Sequence, residues 1–220
     1  MKQKKSLGTI ILGLIVAVVV WFLQEKGLIA KDSSEGGSSE NYGGETSGKG
    51  WTHLKECRFI TGKNSDGDSF HVEHEKGETE FRLYFVDTPE SSYRTYRGGE
   101  NNGQRIKEQG EYFGRLSQKQ TTGIGEDGKK LVKKLLSKGG FEVQTKWENV
   151  YGPERKYCFV LVRWEGQMVY LHELLVKKGL ARIHTRGTDV PGGRGFREQK
   201  SYLQKLEKQA RREKVGAWGL

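Results

Sequence analysis

Residues 66–90 read DGDSFHVEHEKGETEFRLYFVDTPE. Asp66 and Asp68 flank Gly67 at one end, and Asp87, Thr88, Pro89 and Glu90 close the other. Between them, Ser69 to Glu73 and Glu80 to Val86 alternate apolar and polar residues, the period of a strand with one buried face. Glu75, Lys76 and Gly77 supply turn chemistry, so the stretch predicts a β-hairpin. In its second strand Phe81, Leu83 and Phe85 share one face, and Arg82, Tyr84 and Val86 the other. A hairpin brings its outer ends together, which predicts that Asp66 and Asp68 lie close to Asp87 and Glu90. Carboxylates that meet repel one another unless a cation sits among them. With Arg82 on the strand leading into the cluster, the set suggests hard-metal chemistry on phosphate.

Asn64, Asp66, Asp68 and Glu75 also fit the first, third, fifth and twelfth places of a helix–loop–helix calcium loop. Its sixth place needs glycine for a sharp turn and here holds Ser69, and both flanks read as strands. That reading is rejected.

The chain has 220 residues, enough for one ordinary domain plus extras. Its 38 Lys and Arg against 28 Asp and Glu give +10, which favours a polyanionic partner, nucleic acid or an anionic membrane surface. Leu7 to Leu23 is an uncharged apolar run preceded by Lys2, Lys4 and Lys5. It predicts an N-terminal transmembrane helix with its basic end in the cytoplasm, and a signal peptide cleaved after Leu28-Ile29-Ala30 is the alternative. Either way the rest of the chain is expected outside the cytoplasm. Lys31 to Gly50 is rich in Ser, Gly and Glu and reads as a flexible tether. The expected organisation is an anchor over residues 1–30, a linker over 31–50 and a domain over 51–220. Cys57 and Cys158 each fall in a predicted strand. Export allows a disulfide between them, but two small buried residues is the favoured reading.

Within the domain, Trp51 to Thr61 predicts a first strand ahead of the hairpin. Ser91 to Gly103, with Tyr93, Arg94, Tyr96 and Arg97, reads as a solvated surface loop that could touch a nucleic-acid strand. Gln104 to Leu116 has a weak helical pattern interrupted by Gly110, and Gly128 to Lys138 a stronger one, whose five lysines read as a solvated face. Phe141 to Trp147 and Lys156 to Trp164 predict strands around a turn at Asn149 to Pro153. Leu171 to Lys178 predicts a helix closed by Gly179, and Arg197 to Lys214 a long charged one. Five strands with a helix between the third and fourth is the order of an OB-type Greek-key barrel with about three helices, an α+β fold.

From about Trp51 to Leu220 the chain resembles the thermonucleases, the staphylococcal-nuclease-like family. The resemblance rests on Asp66-Gly67-Asp68, on Phe81-Arg82-Leu83 running into Val86-Asp87-Thr88-Pro89-Glu90, and on Tyr151-Gly152 before Arg155. Glu173-Leu174-Leu175-Val176 before Gly179-Leu180-Ala181, and Trp218 near the end, complete it. It implies calcium-dependent hydrolysis of DNA and RNA phosphodiesters by an endonuclease. Asp68, Asp87 and the Thr88 carbonyl are then the expected calcium ligands, Glu90 the base toward water, and Arg82 and Arg155 the phosphate-binding arginines. Asp66 is expected to brace the metal loop.

Two departures from the family pattern stand out. Pro153 and Glu154 intervene between Tyr151-Gly152 and Arg155, and Arg163, at the far end of that strand, is the weaker candidate for the second arginine. After Gly179-Leu180-Ala181, where well-studied members carry base-stacking tyrosines, this chain has Arg182, Ile183, His184, Thr185 and Arg186. Tyr151 and His184 are left as candidate platforms for a base. The scattered histidines otherwise read as surface or packing residues. The expected enzyme is monomeric. Its rivals are a catalytically inactive OB-fold nucleic-acid-binding module and a basic domain docked on anionic lipid or cell wall.

Overall fold

The predicted hairpin forms, with Ser69–His74 (β3) and Gly77–Leu83 (β4) pairing antiparallel around Glu75 and Lys76. The structure, a computed structural model, describes residues 50–220; the apolar run Leu7–Leu23 and nearly all of the tether lie outside the described residues. Among the described residues no helix is long and apolar enough to cross a membrane.

Short strands Thr52–Leu54 (β1) and Arg58–Phe59 (β2) precede the hairpin, where the sequence predicts one strand from Trp51 to Thr61. They serve different edges of one sheet: β1 pairs with Glu142–Asn149 (β6), and β2 pairs with β3. The sheet runs β1-β6-β7-β4-β3-β2 around the long strand Arg155–Trp164 (β7). β7 lies antiparallel to β6 on one edge. On the other edge its first half runs parallel to β4, and its second half pairs with Gln167–Tyr170 (β8). Tyr157 to Val162 is an unbroken buried run, the pattern of a strand covered on both faces. The result is an α+β fold with a mixed, OB-like sheet. Among the described residues nine strands replace the five expected, because breaks and bulges divide the longer ones.

The most consequential break is at Tyr84 and Phe85. Alternation predicts one strand through Val86, yet Tyr84, Phe85 and Val86 are all buried. Phe85 has a φ of 68°, a region bulky side chains avoid. The turn is held from across the fold: Phe85 N–H donates to the Arg186 carbonyl, while His184 and Thr185 N–H donate to the Phe85 carbonyl. The chain then re-forms as Val86–Asp87 (β5), paired with Arg182–Ile183 (β9), which sets Asp87 opposite Arg182.

Among the described residues four α-helices replace the three expected. Gly103–Tyr112 (α1) stops short of the predicted Leu116 because Gly114 and Arg115 adopt positive φ. Gln118–Leu136 (α2) starts ten residues before the predicted Gly128, with Ser117 and Gln120 forming a reciprocal capping box. Leu171–Lys177 (α3) ends at Gly179 as predicted, and Phe196–Glu213 (α4) is the long charged helix. A final 3-10 turn, Gly216–Gly219, packs against Gly179. Both described cysteines are free: Cys158 is buried in β7 as expected, whereas Cys57 is half-buried in the link between β1 and β2 and not in a strand.

His172 on α3 is fully buried, ringed by Phe85, Phe159 and Tyr170, and its Nε2 accepts from the Gln199 amide at 2.8 Å. Burial, helped by Arg194, pushes its pKa down to about 3. The folded protein keeps this ring neutral while the unfolded chain protonates it below about pH 6.5. Its contribution is therefore complete above that pH and is lost as pH falls toward 3. Denaturant melts at pH 6.5 and 4.5 are expected to show a wild-type loss about 2 to 3 kcal/mol larger than that of His172→Phe. Equal losses in both proteins would contradict this account.

Candidate active site

The hairpin ends and the Phe85 turn deliver their carboxylates to one end of a cleft of about 600 Å³. Asp68 and Asp87 are buried there, bridged by the nearly buried Arg82 guanidinium. Arg82 Nη1 donates to Asp68 Oδ1 at 3.2 Å and Nη2 to Asp87 Oδ1 at 2.8 Å. Asp68 Oδ2 accepts the Thr88 N–H at 2.8 Å, which ties the two ends of the hairpin together. Asp66 also reaches the cleft, and its Oδ1 accepts from Ser91 Oγ at 3.1 Å, bracing the loop after Glu90. Thr88 and Glu90 follow Asp87 along the same wall.

The other predicted residues also line the cleft. Arg155 does so, with its Nε 2.8 Å from Glu80 Oε1, while Arg163 lies at the far end of β7 paired to Met168. Tyr151 is fully exposed in the β6–β7 turn, and His184 follows β9. Burial and Arg182 push the His184 pKa down, so it presents a neutral ring near pH 7. No histidine joins a metal-ligating cluster: His53 meets Glu142, His71 meets Glu78 and His74 meets Thr79.

The structure adds four residues that sequence reasoning missed. Arg105 on α1 bridges both key carboxylates, with Nη2 2.5 Å from Asp87 Oδ1 and Nε 2.8 Å from Glu90 Oε1. Gln109, one turn further on, is buried and donates to Asp87 Oδ2 and to the Thr88 carbonyl while accepting the Glu90 N–H. Asn102, at the start of α1, donates to Glu90 Oε2 at 3.2 Å. Arg182 on β9 donates from Nε to Asp87 Oδ2 at 2.7 Å. Only Gln109 left a sequence signal, as a polar residue on the face that carries Ile106 and Phe113.

Three guanidinium groups thus face Asp68, Asp87 and Glu90. Burial alone would raise the Asp87 carboxyl, but Arg105, the Gln109 amide, Arg182 and Arg82 together hold it below its ordinary range. Asp68 is raised, because burial and the Asp87 charge outweigh its single arginine.

Among the described residues no three His, Cys, Asp or Glu side chains gather around one point. What converges is two carboxylates and the Thr88 carbonyl, with the buried Thr88 Oγ1 making no hydrogen bond. Such an all-oxygen set suits a hard cation that completes six to eight positions with water. The donor types fit calcium, but Arg82, Arg105, Arg182 and Gln109 occupy these oxygens, so a cation would have to draw Asp68, Asp87 and the Thr88 carbonyl away from them.

Helix α2 fixes the back of this wall. A Cβ on Gly125 would sit 2.3 Å from the Pro89 carbonyl oxygen and 2.5 Å from that of Glu90. Gly125→Ala is therefore expected to cost roughly 1–3 kcal/mol by overpacking and to displace Glu90, which would lower any rate that depends on that carboxylate on the order of 10². Gly123→Ala in the same helix meets open space and should stabilise by roughly 0.5–1 kcal/mol. Denaturation and kinetics on the pair check both, and equal behaviour would contradict the packing argument.

No curated protein matches the chain. The sequence profile of the staphylococcal nuclease homologues matches residues 80–219, which takes in Arg82, Asp87, Glu90 and Arg155, while Asp66 and Asp68 precede the matched segment. With the match spanning well over half of its length, the chain belongs to the staphylococcal nuclease homologue family.

Proposed function

We propose that the protein is a calcium-dependent nuclease that hydrolyses DNA or RNA phosphodiesters in this cleft. The observation that carries the reading is the buried Asp68–Arg82–Asp87 bridge with Glu90 beside it, at one end of a cleft that also presents Arg94, Arg155 and Arg186. Asp68, Asp87 and the Thr88 carbonyl would hold the calcium, which when bound draws electron density from a phosphoryl oxygen. Glu90 accepts a proton from water as the water oxygen bonds to phosphorus, and the bond from phosphorus to the leaving ester oxygen breaks, that oxygen keeping the electron pair and taking a proton from solvent. Arg82 and Arg155 share the charge that grows on the phosphoryl oxygens, a task suited to a forked donor. Arg155 meets substrate by exchanging Glu80 for phosphate, and Tyr151 and His184 offer faces to a base. Asp66 keeps the Glu90 loop in place through Ser91.

The N-terminal sequence extends the proposal: an anchor or signal peptide over residues 1–30, a tether over 31–50, and a monomeric nuclease over 51–220 acting outside the cytoplasm. A second reading, a catalytically inactive nucleic-acid-binding module, draws on the fact that both Asp87 oxygens are engaged by arginine or glutamine. The test is incubation of the full chain with single-stranded DNA and with RNA, in calcium and in chelator. Internal cuts that require calcium are expected. Binding without cutting would overturn the enzyme and favour the second reading.

A further inference from the structure

The segment after Glu90, which the sequence suggests is a loose solvated loop, is a small braced finger. Thr95 and Asn101 pair across it, Tyr96 N–H donates to the Glu100 carbonyl, and Gly98 and Gly99 form its tip with positive φ. Asn102 anchors its base: Oδ1 accepts the Arg94 N–H at 2.8 Å, and Nδ2 donates to the Ser92 carbonyl at 2.9 Å as well as to Glu90. The finger is thus tied directly to the carboxylate proposed as base.

Its side chains are unusual for a surface finger. Of the five large hydrophobic residues exposed among the described ones, Tyr93 and Tyr96 lie on it, and Tyr151 lies on another stretch bordering the same cleft. Tyr96 is 52% exposed and lines the cleft beside Arg94. Exposed rings held on braced backbone, with guanidinium groups alongside, are the two elements of a single-strand platform: a face for a base and a charge for its phosphate.

The geometry points to the finger as a binding wall for unpaired nucleic acid, with Tyr96 stacking on the base of a nucleotide next to the scissile phosphate and Arg94 meeting the adjoining phosphate. This rests on the nuclease reading above and assigns the finger's contact: Tyr96 engages bases that are free to stack, which a duplex keeps covered. Tyr96 acts on substrate affinity and takes no part in proton transfer.

The test is fluorescence anisotropy on the full chain in chelator, where no cutting interferes, with a labelled single-stranded oligonucleotide of about twelve residues and the matching duplex. Tyr96→Ala is expected to weaken single-strand binding roughly tenfold or more while moving duplex binding less than about twofold. Tyr96→Phe, which keeps the ring face, should bind as the wild type does. Single-strand affinity unchanged in Tyr96→Ala, or Tyr96→Phe as weak as Tyr96→Ala, would overturn the inference. If those proteins still cut single strands in calcium, the nuclease reading survives that result. A wild type that neither binds nor cuts single strands would remove both.

Discussion

Replacing Arg82 with alanine will cost the protein stability and rate together. Its guanidinium, 11% exposed, is, among the described residues, the only arginine on Asp68 and one of three on Asp87. Removing it leaves two buried carboxylates facing each other, and breaking a buried ion pair from one side costs about 3–5 kcal/mol. Arg105 and Arg182 still hold Asp87, so the damage concentrates on Asp68, which is already raised by burial and takes up a proton. On the proposed mechanism, loss of the phosphate contact adds a fall in kcat/KM on the order of 10² to 10³. Arg82→Lys restores a charge but cannot reach both carboxylates with one planar fork, and should fall between the two. Denaturant unfolding at pH 7 and steady-state kinetics read the two losses separately. Arg82→Ala with wild-type stability would mean the bridge does not organise the site.

Glu90→Gln should show the opposite division, a large loss of rate with little loss of stability. The glutamine keeps one acceptor oxygen, which serves Arg105 while its amide NH2 gives up the longer 3.2 Å contact from Asn102, and the backbone N–H still meets Gln109. What it lacks is a basic oxygen for the water proton, a role worth about 10²–10⁴ in rate. The fall should appear in kcat with KM nearly unchanged, because ground-state contacts survive. A loss below about tenfold would reassign the base.

What the sequence disclosed and what it hid divide along physical lines. The hairpin was legible because its signals are local: alternation in β3 and β4 with Glu75-Lys76-Gly77 between them. Closing that hairpin was enough to foresee that Asp66 and Asp68 approach Asp87 and Glu90. The turn at Phe85 was illegible because its hydrogen-bond partners, Arg186, His184 and Thr185, lie about a hundred residues away. The first half of α2 was hidden by glycines that read as helix breakers. Gly125 is there because only hydrogen fits against the backbone of Pro89 and Glu90. Arg105 and Arg182 looked like any other charges in a basic chain, and only the fold turns them toward Asp87. The finger reads as polar and glycine-rich in sequence, and its bracing through Asn102 is a tertiary fact.

The central claim, that this cleft cleaves nucleic acid by calcium-assisted attack of water, is tested most directly on one labelled oligonucleotide. The full chain and its Glu90→Gln variant are each given a 5′-labelled single strand, in calcium and in chelator, and initial cleavage rates are measured. The account predicts rapid cleavage by the wild type in calcium, none in chelator, and a residual rate in the variant lower by about 10² or more. Equal rates in calcium and chelator, or a variant as fast as the wild type, would contradict it.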